Sequence, residues 1–301
     1  MKPEITMERF EEILPLICDR ETSSDPKNWT PENPLWGHCA VVALIAQNLF
    51  GGKLARASLQ DTEFHRLHSH YWNLFPDGAA RDFTSSQFQG QKLILTVSEV
   101  VRSYVLSPKF PDTIRRYKLL AFRLARALNP TNPLFDDLFY KPCFHNALNS
   151  PCQKMKFGCV VRYNPKNDPE IIYEIVYEGY NKTIEPLRSL CEPTCIRFNI
   201  PSRTESMIGA CGHAEEMALW GAIKKCVPLD ECEMYVAGVY SNGLPYVKNE
   251  LEFTCLRCAV QIYYSEIKKV WVPVVDRWEA LTGEECVKTA RAYATKEKVI
   301  S

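Results

Sequence analysis

The chain has 301 residues, 46% of them hydrophobic and 24% charged, which is an ordinary globular mixture. Lys plus Arg and Asp plus Glu number 36 each, so the net charge is zero. That balance excludes a polybasic nucleic-acid arm and an acidic solvating tail. No apolar run reaches the ~18 residues needed to span a bilayer. The N-terminal MKPEITMERFEEILPLICDRE lacks the apolar core of a signal peptide. The expectation is a cytoplasmic protein with no membrane partner, in two domains at ~150 residues each. Thirteen cysteines, an odd number without a secretion signal, predict reduced thiols that serve as metal ligands or nucleophiles rather than a disulfide framework.

In chain order, the first chemistry-bearing stretch is Pro34-Leu35-Trp36-Gly37-His38-Cys39-Ala40-Val41, where a small, apolar helix begins at the cysteine. Thirty residues on comes Ser69-His70-Tyr71-Trp72-Asn73, then the hairpin turn Pro76-Asp77-Gly78 and Arg81-Asp82. A cysteine at a helix start, a histidine on one strand and an acid on the next is the logic of papain-like thiol catalysis. In that reading Cys39 is the nucleophile, favoured as thiolate by the helix N-terminus. His70 is its base and Asp82 the orienter. The plainer alternative is a binding module in which Cys39 is a buried helix residue and His70 a strand residue. His65 and His68 extend a histidine cluster that could bind metal, although a polar loop explains them as well. Next, TIRRYKLLAFRLARAL predicts a helix with Asp112 as its cap and Ile114, Tyr117, Ala121, Leu124 and Leu128 as its apolar stripe. Its basic residues, Arg115, Arg116, Lys118, Arg123 and Arg126, read as a solvated face. Pro130 and Pro133 in NPTNP mark the linker, which gives domains 1–129 and 130–301.

The second half alternates elements. A helix is predicted over 135–148, strands over 158–163 and 171–178, a helix over 213–226 and a strand over 233–240. A helix over 256–266, a strand over 268–275 and a final helix over 279–296 follow. The alternation predicts an α/β sandwich with a largely parallel section. Tyr263 and Tyr264, after the penultimate helix start, read as core.

Two segments carry chemistry. Cys255 and Cys258 are i and i+3, so both sulfurs lie on one face of a turn at a helix start. His213, in Cys211-Gly212-His213-Ala214-Glu215-Glu216, opens another helix. Two thiolates and an imidazole would hold a tetrahedral Zn²⁺ with one position open for water. Two thiolates already cancel the charge of the ion, so a proton-carrying carboxylate gains value, and Glu215 is placed to be one. Buried cysteines or a structural zinc are the alternatives.

His-x-Glu followed by Cys-x-x-Cys is the pattern of zinc-dependent deaminases. Residues 135 to 300 resemble the deoxycytidylate (dCMP) deaminase branch of the cytidine deaminase superfamily. The likeness runs through Ser150-Pro151-Cys152-Gln153-Lys154, Gly158-Cys159-Val160-Val161, Gly179-Tyr180-Asn181, Cys195-Ile196-Arg197, Pro201-Ser202 and Phe253-Thr254-Cys255-Leu256-Arg257-Cys258. It implies a three-layer α/β/α sandwich with a mixed sheet of about five strands. It also implies Zn²⁺ on His213, Cys255 and Cys258, hydroxide on the metal attacking C4 of cytosine, Glu215 shuttling the proton, and Asn181 against the sugar. The family has proline before the first cysteine where this chain has Thr254, which can still cap the helix. The N-terminal half resembles the uncharacterised YunG-like family through Trp29, Asn33-Pro34, Cys39-Ala40, Gln47, Gly51-Gly52, His70-Tyr71-Trp72-Asn73 and Asp82. It is expected to be an α+β domain with a hairpin facing the Cys39 helix.

Cys191, Cys195 and Cys211, with Cys152 or His145 as a fourth ligand, could hold a second, structural zinc. Buried thiols explain them as well. Arg197, Ser202 and Arg203 are candidates to clamp a phosphate. The leading substrate is a free cytosine nucleotide, dCMP before CMP or dCTP. The rivals are a base in DNA or RNA, and a Cys39-centred thiol hydrolase with the deaminase domain as a nucleotide sensor. The dCMP deaminase family often assembles, so a homo-oligomer is expected.

Overall fold

The computed structural model describes residues 4–91, 93, 95–165, 174–192, 194–200, 209–247 and 254–296. The chain forms two compact units that divide between Pro130 and Thr131. No helix among the described residues is long and apolar enough to cross a membrane.

In the first unit, α1 (Met7–Ile17) is capped by Thr6, whose hydroxyl accepts from Arg9 N at 3.2 Å. It buries Phe10, Ile13, Leu14 and Ile17. Helix α2 (Cys39–Phe50) is apolar all round and correspondingly central, with seven of its first eight residues buried. Gly51 and Gly52, at φ +80° and +81°, end it and turn the chain into β1 (Lys53–Ser58). Strands β2 (Ser69–Leu74), β3 (Ala80–Arg81) and β4 (Val97–Val100) complete an antiparallel sheet in the order β3-β2-β1-β4. Helix α2 lies against β1 and β2, and the Pro76-Asp77-Gly78 turn joins β2 to β3. A short α3 (Arg102–Val105) leads to α4 (Pro111–Leu128), which packs on α1 and α2.

The structure corrects two readings of α4. Phe110 is the cap residue, and Asp112 lies inside the first turn, accepting from Arg116 Nε at 2.7 Å. The basic face is not solvated throughout. Arg116 is buried and reaches the Thr22 and Gly37 carbonyls, and Arg123 pairs with Asp19 at 2.6 Å and Glu21 at 2.7 Å. These guanidinium groups hold the loop after α1, whose carbonyls have no helical partner of their own.

In the second unit, a 3₁₀ turn (Pro133–Asp136) precedes α5 (Tyr140–Ala147). The predicted helix over 135–148 is interrupted because Asp137 ends the 3₁₀ turn, and its carboxylate accepts from Phe139 N and Tyr140 N at 2.8 and 2.9 Å just before α5. Then come β5 (Met155–Tyr163), β6 (Glu174–Tyr180), the short pair β7 (Lys182–Thr183) and β8 (Cys211–Gly212), and α6 (Ala214–Lys224). They are followed by β9 (Cys232–Tyr240), β10 (Pro245–Tyr246), α7 (Leu256–Tyr264), β11 (Lys269–Val274), β12 (Arg277–Leu281) and α8 (Gly283–Lys296). The main sheet runs β12-β11-β9-β5-β6, with β10 on β9.

The sheet is mixed, but among the described residues only the β9–β11 pair is parallel, which corrects the largely parallel expectation. The final helix begins at Gly283, not at 279. Val275 at φ +58° turns the chain back so that β12 pairs antiparallel with β11. Thr282 and Glu285 then form a reciprocal cap, Glu285 accepting from Thr282 N at 2.8 Å and Thr282 Oγ1 from Glu285 N at 3.2 Å. One sheet face presents Cys159, Val161, Met234, Val236, Val270 and Val272 to α6, α7 and α8. The other receives α5, where Cys143 Sγ donates to Tyr235 O at 3.2 Å. This is a three-layer α/β/α arrangement resembling the cytidine deaminase fold.

Tyr263 and Tyr264 are not core. They are 52% and 79% exposed on the outer side of α7, and Ile262 between them and the sheet is buried.

Two outcomes follow. A Cβ on Gly158 would meet Cys143 O at 2.0 Å and Ala147 N at 2.4 Å, so Gly158→Ala must push α5 off the sheet. It is expected to cost about 1–3 kcal/mol in chemical denaturation of the full chain. In the first unit, His38 is buried, with Nδ1 on Trp36 O at 3.0 Å and Nε2 on Thr22 Oγ1 at 2.9 Å. Burial, aided by Arg116, pulls its pKa down to about 4. The unfolded chain therefore takes up a proton that the folded chain refuses. Stability should fall between pH 6.5 and 4 by about 1.4 kcal/mol per unit from this residue. His38→Gln should flatten that slope in pH-dependent melts.

Candidate metal centre and cavity

Two helix starts meet in the second unit. His213 is the cap residue of α6 and Cys255 that of α7, both with extended backbone at φ −77°. Cys258 is one turn into α7. His213 Nδ1 lies 3.3 Å from both Cys255 Sγ and Cys258 Sγ. Among the described residues, this is the group of His, Cys and acidic side chains gathered closely enough to hold a metal, with its donor atoms within 4.8 Å of one another. Three donors on a tetrahedral zinc stand roughly 3.5 Å apart for N–S pairs at the usual bond lengths.

The electrostatics suit a cation. The Cys258 thiol donates to Cys255 and, with His213, brings the Cys255 pKa down to about 4. Burial lowers His213, but its bond to Cys255 outweighs that and leaves it raised. Glu215 is buried, and burial pushes its carboxyl up to about 7.

Glu216 has a different job. It caps α6 by accepting from His213 N at 2.8 Å, and it receives Gln261 Nε2 at 2.6 Å and the Arg257 guanidinium. Arg257 also donates to Cys211 O at 3.1 Å. Burial would raise Glu216, but Arg257 holds it below the usual carboxylate range. Neither Glu216 nor Arg257 had a role in the sequence reading, although Glu three residues after a cap is a capping-box pattern. Thr254 does not cap α7. Its side chain is buried and Cys255 takes the cap position.

A cavity of about 190 Å³ opens onto this cluster. His213, Glu215 and Cys255 line it, with Asn181, Arg197, Lys154, Phe157 and Tyr246. Asn181 is tied to the strand beside it: Phe157 N donates to its Oδ1 at 2.6 Å and its Nδ2 donates to Met155 O at 3.0 Å. One N–H of that amide has no part in this pairing and can serve a ligand. Lys154 is a cation the sequence reading passed over. Its ammonium holds the Arg197 and Ile200 carbonyls, the first at 3.0 Å, and so shapes the same wall. Phe157 and Tyr246 meet edge to face at 5.9 Å. Ser202 and Arg203 lie outside the described residues.

Cys152, Cys191, Cys195 and Cys211 line a second, much smaller cavity of about 20 Å³. Cys191 and Cys211 sulfurs are 3.9 Å apart, and Thr183 Oγ1 donates to Cys191 at 3.1 Å. Burial raises Cys195, and Cys211 to about 11. His145 does not line this cavity. In the first unit, Cys39, His70 and Asp82 are brought together, with His70 Nε2 2.6 Å from Asp82 Oδ2. His65 and His68 do not join His70 in a metal group among the described residues. His68 Nδ1 instead meets Gln60 at 2.9 Å.

Arg257→Ala leaves Glu216 buried without its cation. The expected cost is about 1–3 kcal/mol, discounted for the partial exposure of Arg257. Zinc affinity should fall ~10–100-fold, because the clamp orients both ligand-bearing helix starts. Competition with a chelator measures it.

Comparisons with known proteins match two separate stretches of the chain. Residues 135–274 match the family described as the cytidine and deoxycytidylate deaminase zinc-binding region. Residues 6–129 match the family described as YunG protein. A relative, the uncharacterized protein YunG of Bacillus subtilis (strain 168), is 36% identical over 83 residues. The match spans 28% of this chain and 64% of that protein. The chain thus joins a region similar to YunG to a region similar to the deaminase zinc-binding family, whose His/Cys/Cys cluster is suited to zinc.

Proposed function

We propose that the second unit is a zinc-dependent hydrolytic deaminase of a free cytosine nucleotide, with dCMP the leading substrate and dUMP and ammonia the products. The observation that carries this is a buried Glu215 lining the same cavity as His213 and Cys255, with Arg197 and Lys154 on its wall. The donor set fits zinc: one imidazole and two sulfurs 3.3 Å from it, with one sulfur favoured as thiolate. Zinc held there supplies Lewis acidity that makes water nucleophilic near neutral pH. Glu215 takes the proton released from water and returns it, first to the pyrimidine ring and then to the departing amino group. Asn181 offers its remaining N–H to the sugar. Arg197 pairs with the phosphate as a guanidinium fork, and Lys154 fixes the backbone that presents it. Phe157 and Tyr246 give the base an apolar wall.

The exposed row Leu256, Val260, Tyr263 and Tyr264 along α7 supports assembly into a homo-oligomer. A second, structural zinc in the smaller cavity would have to draw Cys152, Cys191, Cys195 and Cys211 closer together than they stand here, since they do not form a metal-holding group. Zinc content of two per chain, dropping to one in Cys191→Ser, would assign it. A content of one in the wild type leaves His213, Cys255 and Cys258 as the sole site.

Ammonia release from zinc-loaded protein tests the reading, with dCMP, CMP, dCTP, deoxycytidine and a cytosine-containing single strand offered in parallel. Glu215→Gln should lower kcat about 10²–10⁴-fold with zinc content unchanged. Arg197→Ala should raise KM for dCMP about 10-fold or more and leave deoxycytidine little affected. Full activity in Glu215→Gln overturns the mechanism. Turnover of the single strand but not of dCMP moves the substrate to nucleic acid.

A further inference from the structure

The first unit holds a second reactive constellation that the deaminase reading does not use. Cys39 is the first residue of α2, and the first bond of the helical ladder is Val42 N to His38 O at 2.9 Å. The Cys39 amide precedes that ladder, at the positive end of the helix. On β2, His70 commits Nε2 to Asp82 at 2.6 Å. Its Nδ1 is buried and has no hydrogen-bond partner among the described residues. The Cys39 thiol donates to the carbonyl of Ser69, next to His70 in the chain, at 3.6 Å, and it lies near enough to act on the imidazole electrostatically. With Nε2 taken, Nδ1 is the nitrogen left for sulfur.

The surroundings hold this geometry rigidly. Trp72 stacks on His70 at 5.5 Å and Phe88 meets it edge-on at 4.8 Å, so the ring has no room to turn. Asp82 is fixed in turn by Thr84, whose N and Oγ1 donate to Oδ1 at 2.9 and 3.0 Å. Thr84 is held by buried Gln87, and Gln87 Oε1 accepts from Gly37 N at 3.3 Å, two residues before the cysteine. One chain of hydrogen bonds therefore links the orienting acid to the helix start that carries the thiol. Burial lowers the His70 pKa, but Asp82 and Cys39 outweigh it and raise it to about 9, which favours a protonated ring.

We propose that Cys39, His70 and Asp82 form a thiol active site that takes a small acyl ester or amide as substrate. The Cys39 thiolate adds to the acyl carbon, and the carbonyl π pair moves to oxygen beside the Cys39 amide. When that pair returns, the bond to the leaving oxygen or nitrogen breaks and the proton on His70 Nδ1 passes to it. The product is a thioester on Cys39. Water then gives a proton back to His70 and adds to the thioester, which releases the acid and restores the thiolate. Asp82 is a positioning residue that fixes the ring and its charge. No oxidant, metal or second substrate is needed.

The test uses the full chain. A thiol of ordinary pKa is less than ~1% ionised at pH 6. Iodoacetamide at pH 6, followed by peptide mass mapping, compares Cys39 with Cys226, the exposed cysteine. Although Cys39 is only 5% exposed, it should react at least about tenfold faster than Cys226. Asp82→Asn should reduce that ratio and His70→Gln should remove it. If His70→Gln does not fold, as judged by circular dichroism, Asp82→Asn carries the comparison, because that side chain is 25% exposed. In parallel, p-nitrophenyl acetate should give a burst of nitrophenolate and an acetyl adduct on Cys39. Equal or slower alkylation of Cys39, or a ratio unmoved by the variants, overturns the site. Fast alkylation with no acetyl adduct overturns the acyl-transfer assignment. These readouts concern the first unit alone, so they stand or fall apart from ammonia release by the second.

Discussion

One buried carboxylate sets the geometry on which the candidate metal centre depends. Glu216 touches both ligand-bearing helix starts: the His213 amide of α6, and Arg257 and Gln261 of α7. Three soft donors from two distant segments must converge to within a few ångströms, and neither segment has internal reason to do so. A desolvated carboxylate tolerates burial only when its partners are complete. The register between the two helices is therefore the one that completes them. Arg257 extends the clamp to Cys211 O on the strand entering α6. Gly179 fixes the other side, since a Cβ there would meet Ala214 O at 2.6 Å. Helix α6 can thus lie against β6 with its first turn held in place.

Two successive glutamates in that turn have opposite fates. Glu216 faces a guanidinium and stays ionised, so it holds structure. Glu215 faces the cavity and is pushed up to about 7 by burial. Neighbouring groups of one chemical type whose environments separate them leave one ionised in the architecture and the other suited to the proton transfer proposed above. The assignment follows from direction: i and i+1 on a helix point about 100° apart. Only one of the two can face the cavity.

The sequence carried the ligands because metal chemistry restricts residue types and spacing tightly. His213, Cys255 and Cys258 were legible for that reason, and so was Cys39 at a helix start opposite His70. Strand direction was less legible. Alternating strands and helices imply parallel pairing only if each helix crosses over, and here β5 and β6 pair antiparallel without one. The helix start at Gly283 was present as a Thr282–Glu285 cap but was masked by the apolar run of β12. Arg116 and Tyr263 failed in opposite senses. A charge can be buried when carbonyls await it, and an aromatic can be left outside when its helix has a second apolar face. Lys154 was hidden because its task is to hold backbone, which no side-chain pattern announces.

Both units place a cysteine at a helix start near a histidine, yet they are suited to different chemistry. The difference lies in what holds the histidine. In the second unit the ring nitrogen faces two sulfurs at equal distance, and two thiolates can balance a dication. In the first, one sulfur is present, and the other end of the ring is pinned by a carboxylate at 2.6 Å that favours a protonated ring. A protonated imidazole does not ligate a metal, but it does stabilise a thiolate and deliver a proton. The carboxylate on the far nitrogen therefore separates a metal site from a nucleophile. Asp82 does this for His70, and among the described residues no acid forms such a pair with His213.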